Sequence, residues 1–278
     1  MSEDWTWPRI ALAVVLTAAL LFINLFPVAW GFITSLKATP EIMAWPPRFI
    51  DFAPTLDHYR SVLASLFTRA IANSVFYSGA VIVVGLVLGA LAAFGFDRFS
   101  FRFRNALFML IVASIPLAIG AAALLVPNYL YFTYLGVTNQ WFTLVLLYTA
   151  YQLPLAIWIL KGAMEGVPRE LDEAAYVDGA TSFTVWWRIV MPLCLPAIGA
   201  AGLFLFLGSW NEFVAGSVMV DSPELRPVQV AVYQNIGYFG RDWGPLMASA
   251  MLAVLPILVI YLLLGRLLIA GLTRGAIK

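Results

Sequence analysis

Charged residues are scarce in this chain of 278 residues. Asp, Glu, Lys and Arg make up 11% of it and hydrophobic residues 62%, whereas a soluble domain carries roughly 25% charged residues. Long segments contain no Asp, Glu, Lys, Arg or His at all, among them 10–36, 70–96 and 105–160. A helix in a soluble protein needs a polar face toward water, and these segments have none. The composition therefore excludes an ordinary soluble domain and predicts a membrane protein.

Residues that carry chemistry are equally rare. The single cysteine, Cys194, excludes an intrachain disulfide, and the single histidine, His58, stands alone in its segment with no second ligand to make a metal site. A phosphate-binding loop needs Lys followed by Ser or Thr in a glycine-rich motif, and neither Lys37, Lys161 nor Lys278 is followed by one. We therefore expect no enzyme activity, metal or cofactor in this chain. The formal net charge of +1 gives no reason to expect nucleic-acid binding.

The apolar segments predict an all-α protein with six transmembrane helices in one domain, residues 1–278. About 20 residues in a helix cross the ~30 Å hydrocarbon core of a bilayer. As one helix, the run 105–160 would be roughly 84 Å long, so we expect it to turn within the breaker-rich segment 127–139. The six expected spans are 9–36, 70–96, 105–126, 142–162, 196–220 and 245–270.

The distribution of Lys and Arg predicts the orientation, because cytoplasmic loops retain them. If both termini are cytoplasmic, the inner segments hold ten Lys and Arg residues and the outer segments six. The short segment 97–104 is the most basic of the inner ones. We therefore expect both termini in the cytoplasm.

The inner segment 164–196 is the only inner segment long enough to fold. Pro168 suits a first helical turn, acidic residues follow it near the positive end of a helix, and Gly179 is a natural stop. We expect a short cytoplasmic helix over 168–178 and a second one that begins near Ser182.

The same segment resembles the EAA motif of permeases of ATP-binding-cassette (ABC) importers. That motif reads E-A-A, three residues, G, nine residues, I-x-L-P. In this chain its positions are occupied by Glu173, Ala174, Ala175, Gly179, Ile189, Val190, Met191 and Pro192. The chain departs from the motif only in the Met that replaces Leu, a nearly volume-conserving change.

The resemblance implies a type I ABC importer permease fold, in which 164–196 is the loop that couples the permease to a separate ATPase subunit. The short helix of this loop would dock in a cleft of the ATPase, which binds the ATP and Mg that this chain does not bind. The implied coupling residues are Glu173, Ala174, Ala175, Asp178 and Gly179.

Further segments resemble the second permease of sugar importers of the maltose type. They are Trp210-Asn211-Glu212-Phe213, Asp57-His58-Tyr59-Arg60-Ser61-Val62 and the C-terminal Gly271–Lys278. The implied substrate is a sugar or a sugar-like solute, and the sequence leaves open which one. The implied partners are a second homologous permease, two ATP-binding-cassette ATPase subunits and an extracytoplasmic solute-binding protein. The implied location is the bacterial cytoplasmic (inner) membrane.

Glu212 is the ionisable residue that lies most clearly inside an expected span. A charged carboxylate in a bilayer costs about 2.5–3.5 kcal/mol on insertion scales, so it should face a cavity or a partner. One interpretation places Trp210, Asn211, Glu212 and Phe213 along the substrate pathway. The other pairs Glu212 with Arg226 or Arg241 and gives it a purely structural role.

A self-contained secondary transporter or channel for a small polar solute is the alternative class. Ion-coupled carriers typically place several ionisable groups near the middle of the membrane and are often built from internal repeats. This sequence offers Glu212 and no convincing repeat, which favours the importer permease.

Overall fold

The computed structural model describes residues 7–49, 51–116, 121–234, 236–237 and 240–274. Helices account for nearly all of its regular structure. The helices are α1 (Trp7–Ser35), α2 (Thr39–Ile42), α3 (Asp57–Leu63), α4 (Phe67–Arg98), α5 (Arg104–Ala113), α6 (Ala121–Tyr134), α7 (Trp141–Met164), α8 (Glu170–Val177), α9 (Ser182–Val185), α10 (Met191–Leu193), α11 (Leu195–Trp210), α12 (Val214–Met219), α13 (Val228–Tyr233) and α14 (Trp243–Arg274). A π-helical turn, Trp186–Val190, joins α9 to α10, and a 3-10 turn, Pro223–Leu225, precedes α13. Two strands of two residues each, β1 (Ile236–Gly237) and β2 (Gly240–Arg241), form a small antiparallel pair.

Among the described residues, four helices are long and apolar enough to cross a membrane, namely α1, α4, α7 and α14. A fifth crossing is available if α11 and the segment before it, which meet at 82°, form one bent span. The expected third span corresponds to α5 and α6, and residues 117–120 between them lie outside the described part. The predicted count of six is compatible with this arrangement.

The chain divides into two compact units, of which the larger comprises Leu66–Ala231 and Ala253–Lys278. Its core is formed where α4, α7 and α11 pack against one another. Gly85 and Gly89 on α4 allow the close approach: a Cβ at Gly85 would lie 2.8 Å from Leu205 Cδ2, and one at Gly89 would lie 3.5 Å from the Cβ of Ala156. This G-x-x-x-G pair therefore serves helix packing within the chain.

The smaller unit comprises Met1–Ser65 and Val232–Leu252. Its α1 exposes apolar side chains all around, as expected of a helix surrounded by lipid. The loop after α1 is held by two buried residues. The ammonium of Lys37 lies 4.8 Å from the centroid of the Trp30 ring, and His58 Nε2 lies 2.9 Å from the backbone oxygen of Lys37.

The turn between α6 and α7 begins later than the sequence predicted. Pro127, expected to open the turn, lies inside α6, which continues to Tyr134. Proline is tolerated within membrane helices because surrounding groups satisfy the freed backbone carbonyl. The chain instead turns at Gly136, whose φ is +68°, where the N–H of Val137 donates to Phe132 O.

Candidate functional site

The predicted short helix in the 164–196 loop is present as α8, and Gly179 ends it. The φ of Gly179 is +83°, the left-handed conformation that glycine adopts without strain. The N–H of Gly179 donates to Tyr176 O at 3.0 Å, and the N–H of Ala180 donates to Ala175 O at 2.9 Å. These two bonds form a Schellman motif, which satisfies the last carbonyls of the helix.

The helix presents most of the motif residues on its surface. Glu173, Ala174, Asp178 and Gly179 are exposed, and Ala175 is half-buried against the core. Val177 is 88% exposed, although an isolated apolar side chain gains nothing from contact with water. A low-relief surface with an exposed apolar tip is suited to contact with another protein.

A buried cluster of charges joins α8 to the end of α4. Arg98 Nη1 donates to Asp97 Oδ2 at 2.8 Å, and Arg98 Nε lies 2.6 Å from Asp172 Oδ2. Arg98 Nη2 donates to the backbone oxygen of Val167 at 3.1 Å, and Arg169 Nη2 donates to that of Asp97 at 3.0 Å. The sequence placed acidic residues on α8 but did not reveal this contact, because Arg98 and Asp172 are far apart in the chain.

After α8 the chain returns through α9 and the π-helical turn. The hydroxyl of Thr181 accepts a hydrogen bond from the N–H of Thr184, which caps α9 as Thr commonly does. Trp186 is buried and contacts the ring of Phe183 at 5.4 Å between centroids. The segment 182–193 then meets α11 at 82°. The predicted second helix near Ser182 is thus present and short, and the chain bends sharply where the segment 182–193 meets α11.

The fifth expected span is interrupted at the residues proposed to line the pathway. The prediction of one continuous helix over 196–220 is wrong: α11 ends at Trp210 and α12 begins at Val214. The Glu212 carboxylate accepts hydrogen bonds from the N–H groups of Ala215 and Gly216, at 3.0 Å and 3.2 Å. A carboxylate at the positive end of a helix is favourable, so Glu212 stabilises the restart of the helix just after the break.

The four candidate pathway residues do not share one environment. Trp210 is 1% exposed, stacks on Phe206, and donates its indole N–H to Ala253 O at 3.2 Å. Trp210 therefore packs within the helical core, and its place along the substrate pathway stays a prediction. Asn211 is exposed, and Glu212 and Phe213 are half-buried.

The alternative interpretation pairs Glu212 with Arg226 or Arg241. The guanidinium of Arg226 donates to Asp221 O at 2.9 Å, and no ion pair between Arg226 and Glu212 is present in the described residues. The side chain of Arg241 lies outside the described part of the structure.

Polar side chains of α6 and α7 lie in the same unit as Glu212, and sequence reasoning did not single them out. The buried hydroxyl of Tyr148 lies within electrostatic reach of the Glu212 carboxylate but makes no hydrogen bond of good geometry in the described structure. Asn128 Nδ2 donates to the hydroxyl of Tyr151 at 2.8 Å. The amide of Gln152 lies against Gly208, where a Cβ would be 2.2 Å from it. The sequence signal that could have revealed these residues is the presence of Tyr and Gln inside a span without charged residues.

The chain matches a known family over most of its length. Residues 85–274 match the family described as the binding-protein-dependent transport system inner membrane component. The sulfoquinovosyl glycerol transport system permease protein of Agrobacterium fabrum is 30% identical over 270 residues, which cover 95% of this chain and 92% of that protein. The diacetylchitobiose uptake system permease protein of Streptomyces coelicolor is 30% identical over 278 residues, which cover 98% and 96%.

A solved structure shows the same fold. The crystal structure of a bacterial ABC transporter involved in the import of the acidic polysaccharide alginate contains a chain that aligns with a TM-score of 0.79. The two chains are 20% identical, and the alignment covers 96% of this chain and 98% of the other. The all-α permease fold is therefore confirmed.

The fold and the sequence matches define a class, the multi-pass membrane components of solute importers. This chain belongs to the family of binding-protein-dependent transport system inner membrane components. It is the permease subunit of an ABC importer and not an enzyme, and permease subunits of this kind carry no cofactor of their own. The secondary-transporter alternative is set aside, because members of this family depend on a binding protein.

Proposed function

We propose that this chain carries a sugar or a sugar-like solute across the bacterial inner membrane into the cytoplasm. The single observation that supports a sugar most is the set of relatives that match nearly the whole chain, whose names include sulfoquinovosyl glycerol, diacetylchitobiose and trehalose. These substrates share hydroxyl-rich sugar rings and little else. The shared chemistry supports the class of substrate rather than one sugar.

The proposed assembly contains a second homologous permease, two ATPase subunits and an extracytoplasmic solute-binding protein. The chain itself lacks a phosphate-binding loop, so ATP and Mg bind to the ATPase subunits. Both termini and the 164–196 loop lie in the cytoplasm, as the distribution of Lys and Arg indicates.

In this proposal α8 is the coupling helix. Its exposed residues Glu173, Ala174, Asp178 and Gly179 contact a cleft of the ATPase, while Ala175 packs toward the permease. Both ends of α8 are fixed, by the charge cluster at its start and the Schellman motif at its end. Closure of the ATPase cleft would therefore move the helix as a rigid body.

The docking proposal is tested by a disulfide cross-link. Val177→Cys places a thiol on the exposed tip of α8, and the native Cys194 is buried and does not compete. When the tagged chain is purified from the native membrane with its ATPase, we expect a cross-link between this thiol and cysteines placed along the ATPase cleft. The control Val83→Cys lies on the exposed face of α4 within its apolar span and should give none. A cross-link from position 83 and none from position 177 would contradict docking through α8.

The proposed substrate pathway passes the interruption between α11 and α12, at Asn211, Glu212 and Phe213. A non-helical segment at membrane depth is tolerated where it lines a cavity or is buried in protein. The carboxylate of Glu212 can accept hydrogen bonds from sugar hydroxyls while it holds the start of α12. Transporters commonly place interrupted helices at the substrate site.

Glu212→Gln tests this pathway. The glutamine oxygen can still accept a hydrogen bond from the start of α12, so assembly and ATPase coupling should be preserved. We expect uptake to fall about tenfold or sugar preference to change, because a hydrogen bond to a charged group contributes about 1.5–3 kcal/mol. Uptake into proteoliposomes measures this, with the exposed Glu224→Gln as the control. If Glu212→Gln prevents assembly and an Arg226 or Arg241 substitution does the same, Glu212 has the structural role instead.

A further inference from the structure

Arg98 is the last residue of α4, and each nitrogen of its guanidinium contacts a different group. Nη1 bonds to Asp97, Nε lies 2.6 Å from Asp172 on α8, and Nη2 bonds to Val167 O in the link between α7 and α8. Arginine is suited to this because its nitrogens form a rigid planar fork. One side chain therefore attaches α4 both to α8 and to the segment that leads into it.

The cluster is buried although it is charged. The side chains of Arg98 and Asp172 are 7% and 8% exposed, and that of Asp97 is 6% exposed. Removing such charges from water costs free energy that their attraction only partly offsets, and apolar replacements of similar volume are often as stable. In the described structure, Asp172 Oδ1 and Arg98 Nε each lack a hydrogen bond of good geometry, so Arg98 and Asp172 are joined as an ion pair. Stability alone therefore explains the cluster poorly, whereas a fixed geometry between two helices explains it well.

The cluster also lies on a continuous route through the larger unit. Besides its two flanking chain segments, α8 contacts the helical core through Ala175, and Arg169 just before it bonds to Asp97 O. The ion pair adds a direct attachment to α4, and α4 packs against α11. The end of α11 is the interruption that carries Glu212.

We propose that Arg98 and Asp172 are positioning residues that hold α8 rigidly against the end of α4, so that movement imposed on α8 reaches the transmembrane helices. The proposal rests on the proposed role of α8 as the coupling helix. Without the ion pair, α8 would still dock on the ATPase but would move partly independently of α4. The number of solutes transported per ATP would then fall while ATPase binding was retained.

Asp172→Asn and Arg98→Lys test the proposal in the complete reconstituted transporter. Asparagine keeps the shape of the side chain without its charge, and lysine keeps the charge without the fork. We expect each variant to reduce the number of solutes transported per ATP about tenfold. A tenfold change is of the size that mutations along a coupling route produce. When combined with Val177→Cys, each variant should cross-link to the ATPase with the same yield as the chain that carries Val177→Cys alone. The controls are Asp57→Asn and Arg60→Lys, which alter an ion pair whose side chains are 75% and 78% exposed and should leave transport per ATP unchanged.

The outcomes separate this inference from the docking proposal. A normal ratio of solute to ATP in both variants would overturn the positioning role, and so would loss of the cross-link together with transport, because the cluster would then serve folding or docking. If the chain that carries Val177→Cys alone gives no cross-link, the docking of α8 itself is contradicted.

Discussion

Gly179→Val should abolish sugar uptake while the protein still inserts in the membrane. The residue has a φ of +83° and ends α8 with the Schellman motif. A left-handed conformation costs an L-residue about 1–2 kcal/mol, and a β-branched side chain fits it especially poorly. Valine would therefore unwind the end of α8, where the proposed contact with the ATPase is made. Uptake and binding-protein-stimulated ATP hydrolysis in proteoliposomes measure the loss.

The chain contains a matched control for this substitution. Gly136 also has a left-handed φ, +68°, and also ends a helix with a Schellman pair of hydrogen bonds. It lies on the proposed outer side, and a Cβ at either glycine would meet no atom within 4 Å. Gly136→Val should therefore impose similar backbone strain and leave most of the uptake. Gly179→Asn should restore part of the activity, because Asn tolerates this conformation. Equal loss from Gly136→Val and Gly179→Val would contradict a specific role for the α8 loop.

Local signals in the sequence were sufficient for the helical class and for α8. A long apolar segment in lipid is stable as a helix because a helix satisfies all its backbone hydrogen bonds internally, and α1, α4, α7 and α14 follow such segments closely. The position of α8 followed from the acidic first turn and from Gly179, two features that act within one turn of the helix. These parts could be predicted because neighbouring residues determine them.

The sequence predictions failed in two situations. In one, a residue that usually ends a helix is tolerated inside it; in the other, a contact between distant residues determines the structure. Pro127 was expected to end a helix, but α6 passes through it and ends only at Gly136. The interruption at 211–213 has neither Gly nor Pro within it, and the carboxylate of Glu212 defines it by capping α12. The contact between Arg98 and Asp172 depends on tertiary packing, which periodicity does not reveal.

The energy for transport should come entirely from the separate ATPase subunits. This chain has no phosphate-binding loop, so the purified subunit should hydrolyse no ATP. Hydrolysis stimulated by substrate should appear only when the ATPase, the second permease and the solute-binding protein are present together. A subunit from which the ATPase has been fully removed is the control preparation.

The measurement that tests this dependence on the ATPase most directly is uptake of radiolabelled sugar by proteoliposomes that contain the complete assembly. The native binding protein, loaded with the sugar that raises its melting temperature, supplies the substrate from outside, and ATP is enclosed within. We predict uptake that requires enclosed ATP, ceases with a non-hydrolysable analogue, and is lost when the binding protein or this chain is omitted. Equal uptake by vesicles that contain this chain alone, driven by a proton or sodium gradient, would contradict the account.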